Sequence, residues 1–229
     1  MQSSSIFTTA YYSLIVQIII GILCFYGLQK KMASQDQILH DILLLESVVQ
    51  VIEFTFYVAL VLFFTKNVDV TKYRYMDWAI TTPTMLLSIV LFMIYTENRG
   101  KEIDFKDTVK KNKKPLSIIF IANLMMLFFG FLGEIKKLDK TISFTLGFTM
   151  FSICYYTIYK HFLGTNKINS YLFYITFVIW SLYGVASLLP YVTKNVSYNI
   201  LDIFSKNMNG LFIALYVILR HQNNNSSSL

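Results

Sequence analysis

The sequence predicts an all-α membrane protein, a bundle of seven transmembrane helices, from its composition and from the length of its apolar segments. Of its 229 residues, 55% are apolar and only 14% are charged, whereas about 25% of the residues in a soluble domain are charged. A helix needs roughly 20 mostly apolar residues to cross a bilayer. Seven segments meet this requirement: residues 8–28, 40–64, 73–95, 115–133, 141–162, 170–190 and 197–219. We therefore expect one seven-helix domain over residues 1–220, followed by a disordered polar tail over residues 221–229.

The start of the chain and the distribution of positive charge predict how the helices cross the membrane. The first residues, MQSSSIFTTAYY, lack the charged region and the cleavage site of a signal peptide, so the first span is expected to stay in the protein. Twelve of the 20 Lys and Arg residues are assigned to the connections after the first, third and fifth spans and to the C-terminus, with Lys160 at the end of the fifth span counted among them, and six to the other connections. Because positive residues concentrate on the cytoplasmic side, the N-terminus is predicted outside and the C-terminus in the cytoplasm.

The net charge of +7 is explained by this topology, so the predicted partner is the lipid membrane and no nucleic acid. The basic run from Lys110 to Lys114 is interpreted as a surface that attracts anionic lipid. Cys24 and Cys154 both lie inside spans, so neither a disulfide nor a metal site is expected. No catalytic residue is predicted, and the protein is not expected to be an enzyme.

Charged residues inside the spans are the first functional candidates. Ionisable groups within a membrane are rare, usually face the interior of a helix bundle, and mark ion or proton pathways. Six of those within the spans are taken as candidates: Glu46, Glu53, Arg74, Asp77, Asp202 and Lys206; Asp41 and Lys160 lie near the ends of their spans. For Asp202 and Lys206 alone, which are four residues apart, a structural ion pair is an equally good explanation. Six such groups in three helices favour a function.

The position of Lys206 suggests a chemistry for this residue. One stripe of the third span is polar: Arg74, Asp77, Thr81, Thr84 and Ser88. Lys206 is about ten residues into the seventh span, roughly 15 Å at 1.5 Å per residue, so it can share a depth with Asp77. A buried lysine can form a Schiff base with an aldehyde, and the resulting cation needs a fixed carboxylate. An aldehyde cofactor fits this arrangement, although the lysine by itself does not establish one.

Three motifs resemble those of microbial (type 1) rhodopsins. The sequence RYMDWAITTP at residues 74–83 is similar to their third-helix signature, and LDIFSK at 201–206 is similar to the seventh-helix motif that carries the retinal lysine. IWSLYG at 179–184 resembles a sixth-helix motif of the same family. The resemblance covers all seven spans in the correct order. It implies a retinal-binding photoreceptor in which light converts all-trans retinal to the 13-cis isomer.

The resemblance also implies roles for individual residues. Lys206 would bind all-trans retinal as a protonated Schiff base, with Asp77 and Asp202 as its counterions. Arg74 would organise the outer half of the protein and would be held there by Asp77. The walls of the retinal pocket would be formed by Trp78, Thr82, Met126, Trp180 and Tyr183. Without the resemblance, aromatic residues at helical spacing would be assigned to ordinary packing.

Three positions depart from the pattern of the family. Gly184 stands where a proline is usual, and Phe144 stands where a tryptophan is common, so the outline of the pocket is altered there. Ser88 occupies the position at which outward proton pumps carry a carboxylic acid that returns a proton to the Schiff base. Because serine has no proton to release at neutral pH, this position disfavours the usual pump cycle.

The second span carries acids that can line an ion pathway. Three of its residues form a polar stripe about 10 Å long at 1.5 Å per residue: Glu46, Gln50 and Glu53. Asn207 lies about level with Glu53, and Ser13 and Gln17 form a shorter stripe on the first span. Carboxylates and amides from three helices can line a hydrated cation route. For Ser13 and Gln17 alone, hydrogen bonds between helices are the preferred explanation.

This layout resembles channel-type rhodopsins and, among them, the short viral rhodopsins of algal giant viruses. The resemblance rests on the aspartate counterion, on Glu46 and Glu53, and on Asn207 after the retinal lysine, with Ser13 as a further partner. It implies a light-gated channel for the monovalent cations Na⁺ and K⁺, with H⁺ as a further candidate, and sensitivity to Ca²⁺. Opening would hydrate the constrictions at Glu53 and Glu46.

Three other functions fit the same sequence. A proton pump would use Glu46 or Glu53 as a replacement donor, and a sensory rhodopsin would signal through a partner protein. In a receptor or transporter without retinal, Lys206 and Asp202 would form only an ion pair. The expected location is the plasma membrane of the host cell, and the sequence leaves open whether the protein forms a homo-oligomer. A glycosylation sequon, Asn195-Val-Ser197, lies in a connection predicted to be outside.

Overall fold

Seven helical rods form the structure, a computed structural model that describes residues 2–63 and 69–226. Every regular element within these ranges is helical. The helices are α1 Gln2–Leu28, α2 Gln37–Leu62, α3 Val70–Glu97, α4 Phe105–Lys111, α5 Lys113–Glu134, α6 Lys140–Phe162, α7 Lys167–Ser187, α8 Tyr191–Asp202 and α9 Met208–Ser226. A π-helical segment, Ile203–Asn207, joins α8 to α9 without a break. These three elements form the seventh rod, whereas α4 is a short helix in the long connection before α5.

Each predicted span corresponds to one rod, and the predicted seven-helix bundle is confirmed. Within the described residues, six helices are long and apolar enough to cross a membrane: α1, α2, α3, α5, α6 and α7. The seventh rod is not among them, since the π-helical segment divides it, α8 has only 12 residues, and the rod carries many polar residues. Those that are buried include Asn195, Asn199, Asp202, Lys206 and Asn207. Position 64, the predicted end of the second span, lies outside the described residues.

Short polar side chains fix where several helices begin. The carboxylate of Asp69 accepts a hydrogen bond of 3.2 Å from the backbone N–H of Thr71 at the start of α3. Asn166 accepts one of 2.9 Å from the N–H of Ile168 at the start of α7, and Asp139 caps α6 in the same way. Such caps satisfy backbone donors that the first helical turn leaves unpaired. They help to fix the residue at which each helix begins and thus which of its residues face the interior of the bundle.

The C-terminal segment differs from the expected disordered tail. α9 continues to Ser226, because side chains beyond residue 220 have partners at this end of the bundle. The Nδ1 atom of His221 lies 2.7 Å from the carbonyl oxygen of Lys31, and Asn224 donates a hydrogen bond of 2.9 Å to Asp36. Residues 221–226 are therefore helical, while residues 227–229 lie outside the described part of the chain.

Polar residues lie inside the bundle and large apolar residues face outward, as lipid requires. Ile22 is 64% exposed and Tyr171 is 68% exposed, whereas Glu53 and Arg74 are fully buried. Among the six apolar helices, α3 is the most enclosed. Its polar stripe therefore faces neighbouring helices, where hydrogen-bond partners can be supplied.

Candidate functional site

Lys206 lies inside the bundle with three carboxyl groups around its amine. The side chain is 2% exposed, and its Nζ atom donates a hydrogen bond to Oδ2 of Asp77. Nζ also lies 3.7 Å from Oδ1 of Asp202 and 3.9 Å from Oε1 of Glu53. Thus α2, α3 and the seventh rod each bring one carboxyl to the same amine, and the structure places Lys206 and Asp77 at a shared depth.

Arg74 binds the opposite side of Asp202. Its Nη1 atom donates to Oδ2 of Asp202 at 3.2 Å, and its side chain is completely buried. Its other donors are directed to Asn199 and, at 3.1 Å, to Asn195. The side-chain hydrogen bonds of Arg74 therefore all go to α8. Asp77, which was expected to hold Arg74 in place, forms no direct hydrogen bond with it. The planar guanidinium spreads its donors widely enough to reach one carboxylate and two amide oxygens.

Two tyrosines fix the orientation of Asp202. The hydroxyl of Tyr57 donates to Oδ2 at 2.7 Å, and the hydroxyl of Tyr183 donates to Oδ1 at 2.7 Å. Tyr183 was predicted only as a wall of the pocket, and Tyr57 was not predicted at all. The sequence did contain a signal for Tyr57, since it lies four residues after Glu53 and continues the polar stripe of α2.

Asn195 and Asn199 are further site residues that the sequence analysis missed. Both are fully buried, and Asn195 donates a hydrogen bond of 2.9 Å to the hydroxyl of Thr71. Their signal was spacing, because positions 195, 199, 202 and 206 lie on one face of a helix. Asn195 belongs to α8 and not to a connection, and its side chain is buried inside the bundle.

Ser13 contacts the seventh rod through the backbone. Its hydroxyl donates a hydrogen bond of 2.9 Å to the carbonyl oxygen of Asn199. This contact matches the expectation that a lone serine joins two helices, and it ties α1 to α8 on the Arg74 side of Lys206.

A cavity of about 630 Å³ borders Lys206. Its lining includes all the predicted walls: Trp78, Thr82, Met126, Trp180 and Tyr183. The two altered positions, Phe144 and Gly184, border the same space. The volume falls within the roughly 300–1,000 Å³ of pockets for small ligands. Aromatic side chains that border the cavity together with the buried amine of Lys206 suit an elongated apolar aldehyde, so the residues present fit the expected retinal.

One polar contact at the wall of this cavity was not anticipated. The Nδ2 atom of Asn123 on α5 donates a hydrogen bond of 2.7 Å to the hydroxyl of Thr82 on α3. Asn123 is 1% exposed, and it is an isolated amide in an apolar segment. A buried amide of this kind usually joins two transmembrane helices, and that pattern could have identified it.

Glu46 joins three helices at a second site. Its Oε1 atom accepts hydrogen bonds from the hydroxyl of Ser88 on α3 and, at 2.7 Å, from Nδ2 of Asn209 on α9. Glu46 is fully buried. Position 88, which carries no acid of its own, therefore contacts an acid from the neighbouring helix.

Several buried polar atoms have no hydrogen-bond partner of normal geometry among the described residues. Most of them belong to one group: the amide nitrogens and oxygens of Gln17 and Asn207, both carboxylate oxygens of Glu53, and Oε1 of Gln50. Gln17 lies against the carboxylate of Glu53 and interacts with it, and Oε1 of Glu53 is 3.9 Å from Nζ of Lys206. Gln50 donates a hydrogen bond of 3.3 Å to the backbone carbonyl of Lys206. Because buried polar groups in proteins nearly always bind protein, water or an ion, this group of side chains is suited to hydration.

Comparisons with known proteins agree with this arrangement. The family model described as bacteriorhodopsin-like protein matches residues 5–220. Among solved structures, viral rhodopsin OLPVRII is 30% identical, with 92% of this chain and 96% of that chain covered and a TM-score of 0.81. The light-driven proton pump LR (Mac) from Leptosphaeria maculans is 15% identical, over 93% and 95% of the two chains, with a TM-score of 0.71. Halorhodopsin from Halobacterium salinarum is 14% identical, over 98% and 96%, with a TM-score of 0.73. The last two show the fold alone, and no curated protein matches the chain.

Proposed function

Since the chain belongs to the bacteriorhodopsin-like family, we propose that it is a light-gated channel that conducts monovalent cations passively. The family accounts for an integral, multi-pass membrane protein with retinal as its chromophore. It includes structures with different activities, among them a light-driven proton pump. The choice of a channel therefore rests on the residues of this chain.

Lys206 would hold the cofactor in the cavity, with Trp78 and Trp180 orienting it. When bound, all-trans retinal supplies a light-driven change of shape and a positive charge at the Lys206 nitrogen. Asp77 and Asp202 stabilise this charge, because a cation inside a membrane protein needs a paired carboxylate. Tyr57 and Tyr183 keep Asp202 in place for this task.

Gating begins with the loss of charge at the contact between α3 and the seventh rod. A proton that moves from the Lys206 nitrogen to Asp77 removes both charges of that pair. The attraction between the two helices at this point is then lost, whereas Arg74 remains bound to α8 through Asn195 and Asn199. Such a change can bias a packed bundle toward a second arrangement.

The observation that carries the proposal is the unpaired polar group on α1, α2 and the seventh rod. Glu53, Gln17 and Asn207 are enclosed, yet the oxygens and amide nitrogens of their side chains make no hydrogen bond of normal geometry with a described residue. In addition, three carboxyls accompany only two cations, Lys206 and Arg74, in this region. An excess of carboxyl groups along a hydrated route favours cations over anions. Because Glu46 and Glu53 are fully buried, the present conformation is interpreted as closed.

Photocurrent recorded under voltage clamp tests the proposal. A passive channel must give a current that reverses when the sodium or potassium gradient is reversed. The matched control is Lys206→Ala, which should form no visible pigment and give no photocurrent. A current that stays outward at every voltage would identify a pump, and pigment without any current would favour a sensory role.

A second candidate, an outward proton pump, is favoured by one specific contact. Ser88 lies at the position of the usual donor, and its hydroxyl binds Glu46. Glu46 could therefore return the proton that the missing acid would have supplied. The test is the rate at which the Lys206 nitrogen regains its proton after a flash. In a pump of this kind, Glu46→Gln should slow that step strongly, and added azide, a small diffusible acid, should restore it.

The remaining parts of the proposal concern orientation and surroundings. The N-terminus would lie outside and the C-terminus in the cytoplasm, in the plasma membrane of the host cell. Na⁺ and K⁺ would be the main conducted ions, with H⁺ as a minor one, and Ca²⁺ would modulate the current by binding to the carboxyl groups. Assembly into a homo-oligomer is compatible with the apolar outer surface.

A further inference from the structure

We propose that the cavity around Lys206 opens at the surface near the start of α6 and α8, and that retinal enters through this opening. The ion pair between Glu134 and Lys194 is its gate. The inference rests on the proposed binding of retinal to Lys206, and it adds the path by which a long apolar aldehyde reaches that amine. The opening is defined here by Lys136, Lys137, Leu138, Asp139 and Ser187, and is called the mouth.

The cavity is continuous from the buried amine to the mouth. Its deep part is bordered by Met85 and Trp180, which are 1% and 8% exposed. Lys136, Lys137 and Asp139 border the same cavity and are exposed. They belong to the connection between α5 and α6, at the end of the bundle where α3 and α8 begin. A single space thus joins a buried reactive group to the outside of the protein.

Two glycines of the cavity lining lie close to aromatic side chains. Gly130 and Gly184 both line the cavity. A Cβ atom at Gly130 would lie 2.8 Å from the hydroxyl oxygen of Tyr75, and one at Gly184 would lie 2.7 Å from the ring of Phe148. Side chains at these positions would push aromatic rings out of their places. Because Gly130 and Gly184 have no side chains, Tyr75 and Phe148 can keep positions that leave the cavity open.

The ion pair at the mouth has the geometry of a gate. Nζ of Lys194 lies 2.6 Å from Oε1 and 2.7 Å from Oε2 of Glu134, and both side chains line the cavity. Their exposed fractions are 9% and 14%. Glu134 is the last residue of α5 and Lys194 lies in the first turn of α8, so the pair bridges two rods. Both side chains are long and flexible, and rotation of either one would widen the space without moving a helix.

Blocking the mouth tests the path. In Lys137→Cys, a bulky thiol reagent that forms a disulfide should attach at the mouth, because the native Cys24 and Cys154 are only 1% and 2% exposed. Retinal is then added to the labelled apoprotein in membranes, and the growth of the visible band is followed. We expect the rate to fall several-fold, to recover when a reductant removes the label, and the final absorbance to stay unchanged. Lys72→Cys is the matched control, since Lys72 is exposed at the same end but does not line the cavity.

Breaking the ion pair tests the gate. Lys194→Met should speed the growth of the band several-fold, and Glu134→Gln should act in the same direction. Lys72→Met removes an equivalent charge from an exposed pair with Asp69 and should leave the rate unchanged.

Two results would overturn the inference. If labelled Lys137→Cys takes up retinal at the unlabelled rate, the aldehyde enters from elsewhere, such as from the lipid between helices. If Lys194→Met and Glu134→Gln do not change the rate, the ion pair is not a gate. A wild-type protein that forms no pigment after prolonged incubation would instead refute the retinal site itself, so the two failures are distinguishable.

Discussion

The two sides of Lys206 differ in how well their polar groups are paired. On the Arg74 side, one carboxylate accepts hydrogen bonds from Arg74, Tyr57 and Tyr183, and the guanidinium also binds two asparagines. On the other side, Glu53, Gln17 and Asn207 are equally buried, but their oxygens and nitrogens make no hydrogen bond of normal geometry with the described residues, and Glu53 has only its approach of 3.9 Å to Lys206 as an ion pair.

This difference separates a rigid part from an adaptable one. A fully satisfied buried network holds its helices in one arrangement, because each broken bond leaves an expensive unpaired group. A partly satisfied network costs less to rearrange and gains from water or ions that enter it. We infer that the Arg74 side keeps the dark state closed. A conducting route would form on the opposite side of Lys206, which carries Glu53, Gln17 and Asn207.

The largest expected effect comes from breaking the paired side. Asp202→Ala removes the carboxylate and leaves Arg74 buried without its counter-charge, so the free energy of unfolding should fall by about 3–5 kcal/mol. Chemical denaturation of the purified protein, followed through the visible band or helical circular dichroism, measures this loss. Glu102→Ala, which removes an exposed carboxylate, should change it by less than about 0.5 kcal/mol. Equal stability of the two variants would contradict the view that this network holds the helices.

An intermediate effect on function, with little effect on stability, is expected on the unpaired side. Glu53→Gln removes a negative charge 3.9 Å from Lys206 but no hydrogen bond of normal geometry. Because Lys206 keeps Asp77 and Asp202 as partners, stability should change by less than about 1 kcal/mol. The ratio of sodium to potassium conductance, or the conductance itself, should change because a charged group of the route is lost. Reversal potentials under two ionic conditions measure this change. If the variant only loses its visible band, Glu53 belongs to the counterions of Lys206 and not to the route.

The smallest expected effect concerns the link between α1 and α8. Ser13→Ala removes one hydrogen bond between helices, and the loss of stability should be about 0.6 kcal/mol, the average for such bonds in membranes. Ser47→Ala is the control, because the hydroxyl of Ser47 binds the carbonyl of Leu43 within its own helix. A large change in ion selectivity in Ser13→Ala would show instead that Ser13 lines the route.

The two sides also differed in how far the sequence could predict them. The charged members, Asp77, Asp202 and Lys206, were evident because a charge in an apolar span is conspicuous. Tyr57 and Asn199 were missed, since tyrosine and asparagine are common in spans and their role depends on what they meet. Ser13 was predicted near the ion route, but its hydroxyl binds the backbone of α8. No periodicity within one helix identifies a backbone acceptor on another.

The sequence by itself determined the number of helices, their approximate limits and the residues that share one face of each. These properties depend on local composition and on the fixed turn of the α-helix. Only the tertiary structure decided which faces meet: that Arg74 binds α8, that Glu46 contacts Ser88, and that the cavity reaches the mouth. These contacts depend on the relative rotation and depth of packed rods, which arise from the fit of many side chains at once and are encoded in no single segment.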